Sequence, residues 1–109
     1  MKKWIIDYED EAKEDFDNLD GSQRGYVFKA IEKVSQNPLP QSEGGYGKPL
    51  GNKNGNDLTG LFKIKLKRLG LRVLYRLVRE HGIMKIVIIS VRSDNEVYEQ
   101  AAKRIQKNK

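Results

Sequence analysis

Cationic side chains recur with regular spacing around the middle of the chain. Lys63, Lys65 and Lys67 alternate with apolar residues, and Arg72 follows after a short connection that contains Gly70. Arginine can hold phosphate oxygens with two parallel hydrogen bonds and always stays charged. A lysine among other cations has a lowered pKa and can approach the strength that a general base needs. These residue types and spacings therefore favour chemistry on a phosphate.

One reaction class needs only such groups. RNA can be cleaved by its own 2′-hydroxyl, so the protein has to align that hydroxyl, stabilise negative charge and assist proton transfer. A tyrosine can stack on a base or orient a group. The same cations would equally form a passive nucleic-acid-binding face, and the residues alone leave both interpretations open.

Other catalytic sets are missing from the sequence. His81 is the only histidine and falls in a predicted turn, and the chain has no cysteine. No glycine-rich phosphate loop precedes a predicted helix, and no group of residues has metal-ligand spacing. We therefore expect neither a metal nor a cofactor.

The charge of the chain is unevenly distributed. The formal net charge is +6, yet residues 1–60 hold 8 Lys and Arg against 11 Asp and Glu. Residues 61–109 hold 13 Lys and Arg against 4 Asp and Glu. A basic half of this kind indicates an anionic partner, nucleic acid first and an acidic protein second.

The register of the hairpin formed by residues 61–79 decides what its surface presents. With an even number of residues in the connection, Arg72 lies on the same face as the three lysines, and the apolar residues share the other face. An odd number would bury Arg72 beside Phe62 without a partner, which costs several kcal/mol. The even register is therefore predicted, and it makes one face of the hairpin strongly cationic.

The periodicity along the chain predicts the order β-α-α-β-β-β-α. A short strand at 3–8 precedes two helices at 9–19 and 22–37, the second with Ser22 as its N-cap. The hairpin is followed by an apolar interior strand at 83–91, and Ser93 with Glu96 has capping-box spacing at the start of a last helix. The fold class is α+β, a small twisted and mainly antiparallel sheet covered by the N-terminal helical hairpin, with a C-terminal helix.

Residues 38–60 are predicted to be a long flexible loop. The segment contains all 3 prolines and 6 of the 10 glycines. A long connection without its own structure is usually functional or mobile. It could be a flap over the basic face or an insertion without a function of its own.

Length and composition predict a single domain over residues 1–109. The absence of cysteine suits a reducing cytoplasm. The first residues do not form a signal peptide, and no apolar run approaches the roughly 20 residues of a membrane-spanning helix.

Four short motifs in the second half of the chain resemble the RelE branch of the RelE/ParE toxins. They are Lys-Ile-Lys-Leu at 63–66, Gly-Leu-Arg-Val-Leu-Tyr at 70–75, Ile-Ser-Val-Arg at 89–92 and Glu-Val-Tyr-Glu-Gln-Ala-Ala-Lys-Arg-Ile at 96–105. The predicted first strand and helical hairpin match that family in order. The segment 90–98 is shorter than the family's usual spacing, and segment 38–60 is unusually long.

The resemblance implies a toxin of a type II toxin–antitoxin system that cleaves mRNA in the ribosomal A site and leaves a 2′,3′-cyclic phosphate. By position, Lys63 and Lys65 match the strand lysines that bind phosphate and assist proton transfer. Arg72 matches the arginine that stabilises the transition state, and Arg92 matches the one near the leaving oxygen. Tyr98 matches the tyrosine that stacks on or orients the substrate.

Further cations are expected to contact RNA or the ribosome without taking part in chemistry. They are Lys67, Arg68, Arg76, Lys103 and Arg104. A cognate acidic antitoxin is the expected protein partner. Each site residue also has a plain structural interpretation: outward strand lysines, a paired Arg72, an Arg92 that only balances Glu96, and a Tyr98 that only packs.

Two other functions stay open from the sequence. The first is a ParE-like protein that inhibits DNA gyrase by binding, and the second is an RNA-binding domain without catalysis. A metal-independent endoribonuclease is favoured because the strand lysines occur together with both arginines.

Overall fold

The computed structural model describes residues 3–53 and 55–107 and confirms the α+β class. The strands are β1 (Ile5–Tyr8), β2 (Lys48–Lys53), β3 (Asn56–Leu66), β4 (Leu71–Val78) and β5 (Ile83–Ser90). The helices are α1 (Asp10–Asp17), α2 (Gly21–Ser35) and α3 (Asp94–Lys107). Within the described ranges, no helix combines the length and the apolar character needed to cross a membrane.

The strands form one sheet in the order β1-β5-β4-β3-β2. Strand β1 runs parallel to β5, and the other neighbours are antiparallel, which confirms the predicted, mainly antiparallel sheet. The connection between β3 and β4 consists of residues 67–70, an even number, and Gly70 adopts the positive φ of 63° that ends this turn. Glycine takes that conformation without the steric cost that other residues meet.

The sheet has a hydrophobic core on each face. The N-terminal helices pack on one face, where Ala12 and Ile31 meet Phe62 and Tyr75. Helix α3 packs on the other face, where Val97 meets residues such as Leu74. Because side chains alternate along a strand, each central strand contributes to both cores. The predicted helical hairpin therefore covers only one side of the sheet, and α3 covers the other.

Helix α2 begins earlier than the predicted cap at Ser22 indicates. The cap is Asp20, whose carboxylate accepts a hydrogen bond from the Gln23 backbone N–H at 2.7 Å. The Gln23 side-chain oxygen in turn accepts from the Asp20 backbone N–H at 3.1 Å. Such a reciprocal box needs an acceptor side chain three residues after the cap. Gly25, three residues after Ser22, has no side chain that could complete such a box. Asp20 is the cap, so the predicted cap at Ser22 is wrong.

The segment 38–60 has more structure than the predicted flexible loop. It contains β2, and β3 already begins at Asn56. The buried Tyr75 hydroxyl donates to the Pro38 carbonyl at 2.9 Å, and a Cβ on Gly47 would approach that hydroxyl to 2.8 Å. Glycine is needed at position 47 because the chain passes so close to the core. Proline and glycine here thus shape an ordered connection, which composition alone does not distinguish from a mobile one.

Candidate active site

Lys65 and Arg72 are direct neighbours on β3 and β4. The strand register pairs Lys65 with Arg72, and Lys63 with Leu74. Directly opposed residues in an antiparallel pair share a face of the sheet, with Cβ atoms about 4.5–5.5 Å apart. This confirms the even register: Lys63, Lys65 and Arg72 lie on one face, and the apolar set that includes Phe62 lies on the other.

The carboxylate of Asp94 joins two of these cations. Its Oδ1 accepts a hydrogen bond from Lys63 Nζ at 3.3 Å and a short one from Arg72 Nε. The Lys63 and Arg72 side chains are only 14% and 17% exposed, and that of Asp94 is 38% exposed. Charges sheltered to this degree interact more strongly than charges in open water. Asp94 therefore holds the two cations at one point.

The pKa of Asp94 reflects this environment. Burial by itself would raise the pKa of the carboxyl, but hydrogen bonds from Arg72 and Lys63 and attraction to their charges outweigh it. The net result is a pKa below the ordinary value of 3.8. The carboxylate is therefore ionised at neutral pH and neutralises part of the cationic face.

Arg72 is also bound to the loops at both ends of the site. Its Nη1 donates to the Arg92 carbonyl at 2.7 Å and to the Gly70 carbonyl at 3.3 Å. With the Asp94 contact, the guanidinium has partners on the β3–β4 turn, on the loop after β5 and on α3. A guanidinium held this way keeps a defined orientation, which is what recognition of a phosphate requires.

Tyr98 contacts the site through Lys63. Lys63 Nζ donates to the Tyr98 hydroxyl at 2.8 Å and lies 5.3 Å from the centre of its ring. The tyrosine itself is only 5% exposed and belongs to the core under α3. A ring buried this deeply does not offer a face to a base. Of the two roles that the resemblance implies, orientation through the hydroxyl is compatible with this position.

Lys65 is the unengaged cation of the group. Its side chain is exposed, and its ammonium makes no hydrogen bond or ion pair within the described ranges. It stands across from Arg72, whose donors are largely occupied. A lysine side chain without a partner, beside a fixed guanidinium, can take or give a proton without first breaking a contact.

Arg92 reaches the site through its backbone alone. Its guanidinium pairs with Glu96 at 2.9 Å, one helical turn further along the chain, and both side chains are more than half exposed. The Arg92 hydrogen bond, followed by that from Ser93, lowers the pKa of Glu96 below its ordinary value. The Arg92 side chain thus balances Glu96, as the plain structural interpretation predicts. Its guanidinium does not join the group around Arg72.

The burial of Arg104 contradicts its predicted role as an RNA contact. Arg104 is 7% exposed and donates to both carboxylate oxygens of Asp15, at 2.7 and 3.1 Å, and to the Val87 carbonyl at 2.9 Å. Asp15 also accepts from the Ile89 N–H at 3.1 Å. The pair thus joins α3 to α1 and satisfies backbone groups of β5 beyond the end of β1. Periodicity could not show this, since the partners are 89 residues apart.

The other predicted anion contacts lie at the surface in different places. Lys67 and Arg68 are exposed in the β3–β4 turn, and Lys103 is exposed on α3. Arg76 lies on the face of Lys63 and Arg72, and its Nε is 3.4 Å from a carboxylate oxygen of Glu9. Of these residues, Lys67 and Arg68 are the nearest in sequence to the site, because they lie between Lys65 and Arg72.

Asp94 belongs to the candidate site, and the residues predicted from the sequence do not include it. A signal was present: it is one of only 4 acidic residues in the basic half, and it stands at the start of a predicted helix. Acidic residues are common there because they interact favourably with the helix dipole, which gives a sufficient local explanation. Its distance from Lys63 along the chain, 31 residues, hides the second role.

The arrangement is suited to binding a phosphate. Lys63 and Arg72 already donate to an anionic oxygen, and a non-bridging phosphate oxygen accepts the same hydrogen bonds. Lys65 stands free next to them for proton transfer. Among the described residues, no cluster of three or more His, Asp or Glu side chains could bind a metal ion.

Comparison with known proteins gives relatives along nearly the whole chain, although no family model matches it. The mRNA interferase toxin RelE of Escherichia coli K12 is 25% identical over 105 residues, which cover 94% of this chain and 97% of that protein. A free mutant of E. coli toxin RelE superposes with a TM-score of 0.74 at 22% identity, covering 95% of this chain and 99% of that one. The RelBE2 toxin–antitoxin complex of Mycobacterium tuberculosis gives a TM-score of 0.67 at 25% identity, covering 86% and 97%.

Proposed function

We propose that this chain, which belongs to the RelE-like toxins, is an endoribonuclease that cleaves mRNA in the ribosomal A site. Its relatives include an mRNA interferase toxin and a toxin solved in complex with an antitoxin. The observation that carries the proposal is the convergence of Lys63, Lys65 and Arg72 on one face of the sheet. Action on translating ribosomes implies a cytoplasmic protein.

The chemistry follows from what each group can donate. The substrate's 2′-oxygen attacks the adjacent phosphorus, a new P–O2′ bond forms, and the P–O5′ bond breaks. The products are a 2′,3′-cyclic phosphate and a 5′-hydroxyl, so no nucleophile, metal or cofactor from the protein is required. Lys63 and Arg72 donate to the phosphate oxygens as charge accumulates on them, which is commonly the largest contribution to catalysis.

Proton transfer is assigned to Lys65. The amine form of Lys65 takes the proton from the 2′-hydroxyl, and the ammonium that results gives a proton to the departing 5′-oxygen. Within the described ranges the Lys65 side chain has no competing partner, whereas Lys63 is held by Asp94 and Tyr98. Arg92 would assist at the leaving oxygen once its guanidinium has separated from Glu96. That separation costs little, because an exposed ion pair of this kind is weak. Tyr98 is a positioning residue that acts through Lys63.

The Asp94 carboxylate has to give way when the phosphate binds. It occupies the donors of Lys63 and Arg72 that the phosphate needs, and two anions cannot share them without repulsion. A phosphate carries more acceptor oxygens than a carboxylate and can engage Arg72 with two parallel hydrogen bonds. Substrate binding is therefore an exchange of one anion for another at fixed cations.

An acidic antitoxin is the proposed protein partner. Residues 61–109 hold 9 more basic than acidic residues, and they provide the cationic face and α3. An acidic segment that covers this face would block the site, and opposite charge would speed its association. The solved complex of a relative with its antitoxin supports a partner of this kind.

The decisive test is cleavage of mRNA on purified, programmed ribosomes by the double variant Lys65→Ala/Arg72→Ala. Removing one preorganised donor typically costs about 100-fold or more in rate, so this variant should lose cleavage. The matched control is Lys29→Ala/Lys53→Ala, which removes the same charge from exposed positions outside the site. Its rate should equal that of the wild type.

Two outcomes would contradict the assigned residues or the assigned class. Full cleavage by the site variant would exclude these residues from the chemistry. Intact messages together with gyrase-dependent DNA damage in cells expressing the wild type would favour the ParE-like alternative. The product ends test the mechanism separately, because ends other than 2′,3′-cyclic phosphate and 5′-hydroxyl would exclude attack by the 2′-hydroxyl.

A further inference from the structure

A cleft opens beside the candidate active site, between α2, the second half of β3 and the β3–β4 turn. Its volume is about 960 Å³. Its cationic lining residues are Lys33, Lys48, Lys63, Lys65, Lys67 and Arg68. No acidic residue of the described ranges lines it. Lys63 is paired with Asp94, but the other five cations have no ion pair within the described ranges, and this excess of positive charge indicates an anionic occupant.

The cleft lies where the pairing of β2 with β3 ends. The two strands are paired at Lys48 and Lys63, and β3 continues to Leu66 without a further partner in β2. Lys48 and Lys63 are thus directly opposed like charges, an arrangement that destabilises a sheet. A bound anion between or beside them would relieve that repulsion.

Two tyrosines and an apolar wall complete the cleft. Tyr26 on α2 is 57% exposed and Tyr46 is 51% exposed, although large aromatic side chains are usually covered. Lys33 Nζ lies 5.8 Å from the centre of the Tyr46 ring. Ala30 and Val34 of α2 also line the cleft, as do Ile64 and Leu66 of β3. Exposed rings next to a cationic track are the usual means of holding single-stranded nucleic acid.

We propose that this cleft binds the single-stranded RNA adjacent to the cleaved phosphate, with Tyr26 and Tyr46 stacking on bases. The proposal rests on the proposed function, since Lys63 and Lys65 line the cleft and also belong to the catalytic group. Helix α2 packs on the opposite face of the sheet from Lys63, Lys65 and Arg72, so one strand passes from the cleft to the site of cleavage over the edge of β3, where its pairing with β2 has ended. Lys33, Lys67 and Arg68 contact its phosphates.

The occupant is RNA rather than an acidic protein segment because of the aromatic side chains. An acidic peptide would use the lysines equally well but has no planar group for the exposed rings. Base stacking on aromatic side chains tolerates any sequence, since every base has a π-face. That tolerance suits a nuclease whose substrate varies from message to message.

The test is binding of a ten-nucleotide, fluorescein-labelled, fully 2′-O-methylated oligouridine to the full chain, measured by fluorescence anisotropy without ribosomes. The methyl groups block attack by the 2′-oxygen, so binding is measured independently of cleavage. Tyr26→Ala and Tyr46→Ala should each weaken binding at least about fivefold. Tyr46→Phe should bind like the wild type because the ring is retained.

Phe28→Ala is the matched control. Phe28 is 47% exposed on the same helix as Tyr26 but does not line the cleft. Its removal should leave RNA affinity unchanged. Thermal unfolding of each variant identifies any loss of binding that comes from loss of fold, and a tyrosine variant that unfolds early is replaced by Tyr26→Ser or Tyr46→Ser.

The lysines are tested through the salt dependence of the same binding. For single strands, each phosphate contact adds about 0.7 to the slope of log K against log salt concentration. Lys33→Gln and Lys67→Gln should each reduce the slope by about this amount. Lys29→Gln, an exposed lysine of α2 that lies outside the cleft, should leave it unchanged.

Three results would overturn the proposal. They are no RNA binding by the wild type, equal weakening by Phe28→Ala and the tyrosine variants, or binding of a labelled ten-residue oligoglutamate in place of RNA with the same tyrosine dependence. The last result would assign the cleft to an acidic protein. Failure of ribosome-dependent cleavage with intact, tyrosine-dependent RNA binding would remove the proposed nuclease but keep the RNA cleft.

Discussion

Asp94 at the start of α3 accepts hydrogen bonds from Arg72 of β4 and, at 3.3 Å, from Lys63 of β3. One carboxylate of the chain thus occupies the donors that the proposed reaction would give to a phosphate. The contact joins α3 to the hairpin across 22 residues of sequence. Substrate affinity and local stability are therefore opposed at this residue.

The variant Asp94→Asn should bind substrate more tightly than the wild type. The substitution keeps the shape of the side chain but removes the charge that competes with phosphate. The KM for mRNA on ribosomes should therefore fall by roughly tenfold, the equivalent of about 1.4 kcal/mol. Glu99→Gln, an equal loss of charge at an exposed position of α3, is the control. A KM equal to that of the wild type, or a higher one, would show that Asp94 does not compete with substrate.

The same carboxylate makes stability depend on pH in a defined window. The pKa of Asp94 is lowered in the folded protein, so its contribution is present above the ordinary aspartate pKa and is lost as the pH falls through the folded-state value. The free energy of unfolding of the wild type should therefore exceed that of Asp94→Asn by a constant amount near neutral pH. Urea titrations from about pH 6 downwards should show this difference shrinking below about pH 4. A difference that grew with acidity would contradict the assigned direction.

Removing the Tyr98 hydroxyl should affect turnover more than binding. Tyr98→Phe keeps the buried ring but removes the acceptor of the 2.8 Å hydrogen bond from Lys63, so Lys63 loses one of its two orienting contacts. We expect kcat to fall about tenfold, KM to change little, and the free energy of unfolding to fall by about 1 kcal/mol. A purely structural role would instead lower stability and leave both kinetic constants of the folded enzyme unchanged.

Arg104 and its neighbour Lys103 should differ sharply in their contribution to stability. Arg104→Ala leaves Asp15 without its bidentate partner in a largely buried position, and we expect a loss of about 3 kcal/mol in the free energy of unfolding. Lys103→Ala, at an exposed position, should change stability by no more than about 0.5 kcal/mol. Chemical denaturation measures both, and equal stabilities would show that the Arg104–Asp15 pair does not join α3 to α1.

Several features of the fold follow from the pattern of residues within each element. Alternating lysines and apolar residues predict β3, and the cost of burying Arg72 without a partner predicts the register that places it beside Lys65. The spacing of Ser93 and Glu96 predicts the start of α3, where their side chains are hydrogen-bonded at 3.0 Å. Such predictions succeed because a helix or strand allows only a few ways to separate apolar from charged side chains.

What the amino-acid sequence determined alone was which face of its own element each residue occupies. Only the tertiary structure decided what lies opposite that face: Asp94 against Lys63 and Arg72, Arg104 against Asp15, and β2 beside β3 within segment 38–60. The physical reason is that periodicity reports contact with a core or with water, whereas an ion pair depends on where two distant segments meet. A charged residue that the periodicity of its own helix predicts to be exposed can therefore be buried where another segment supplies the opposite charge.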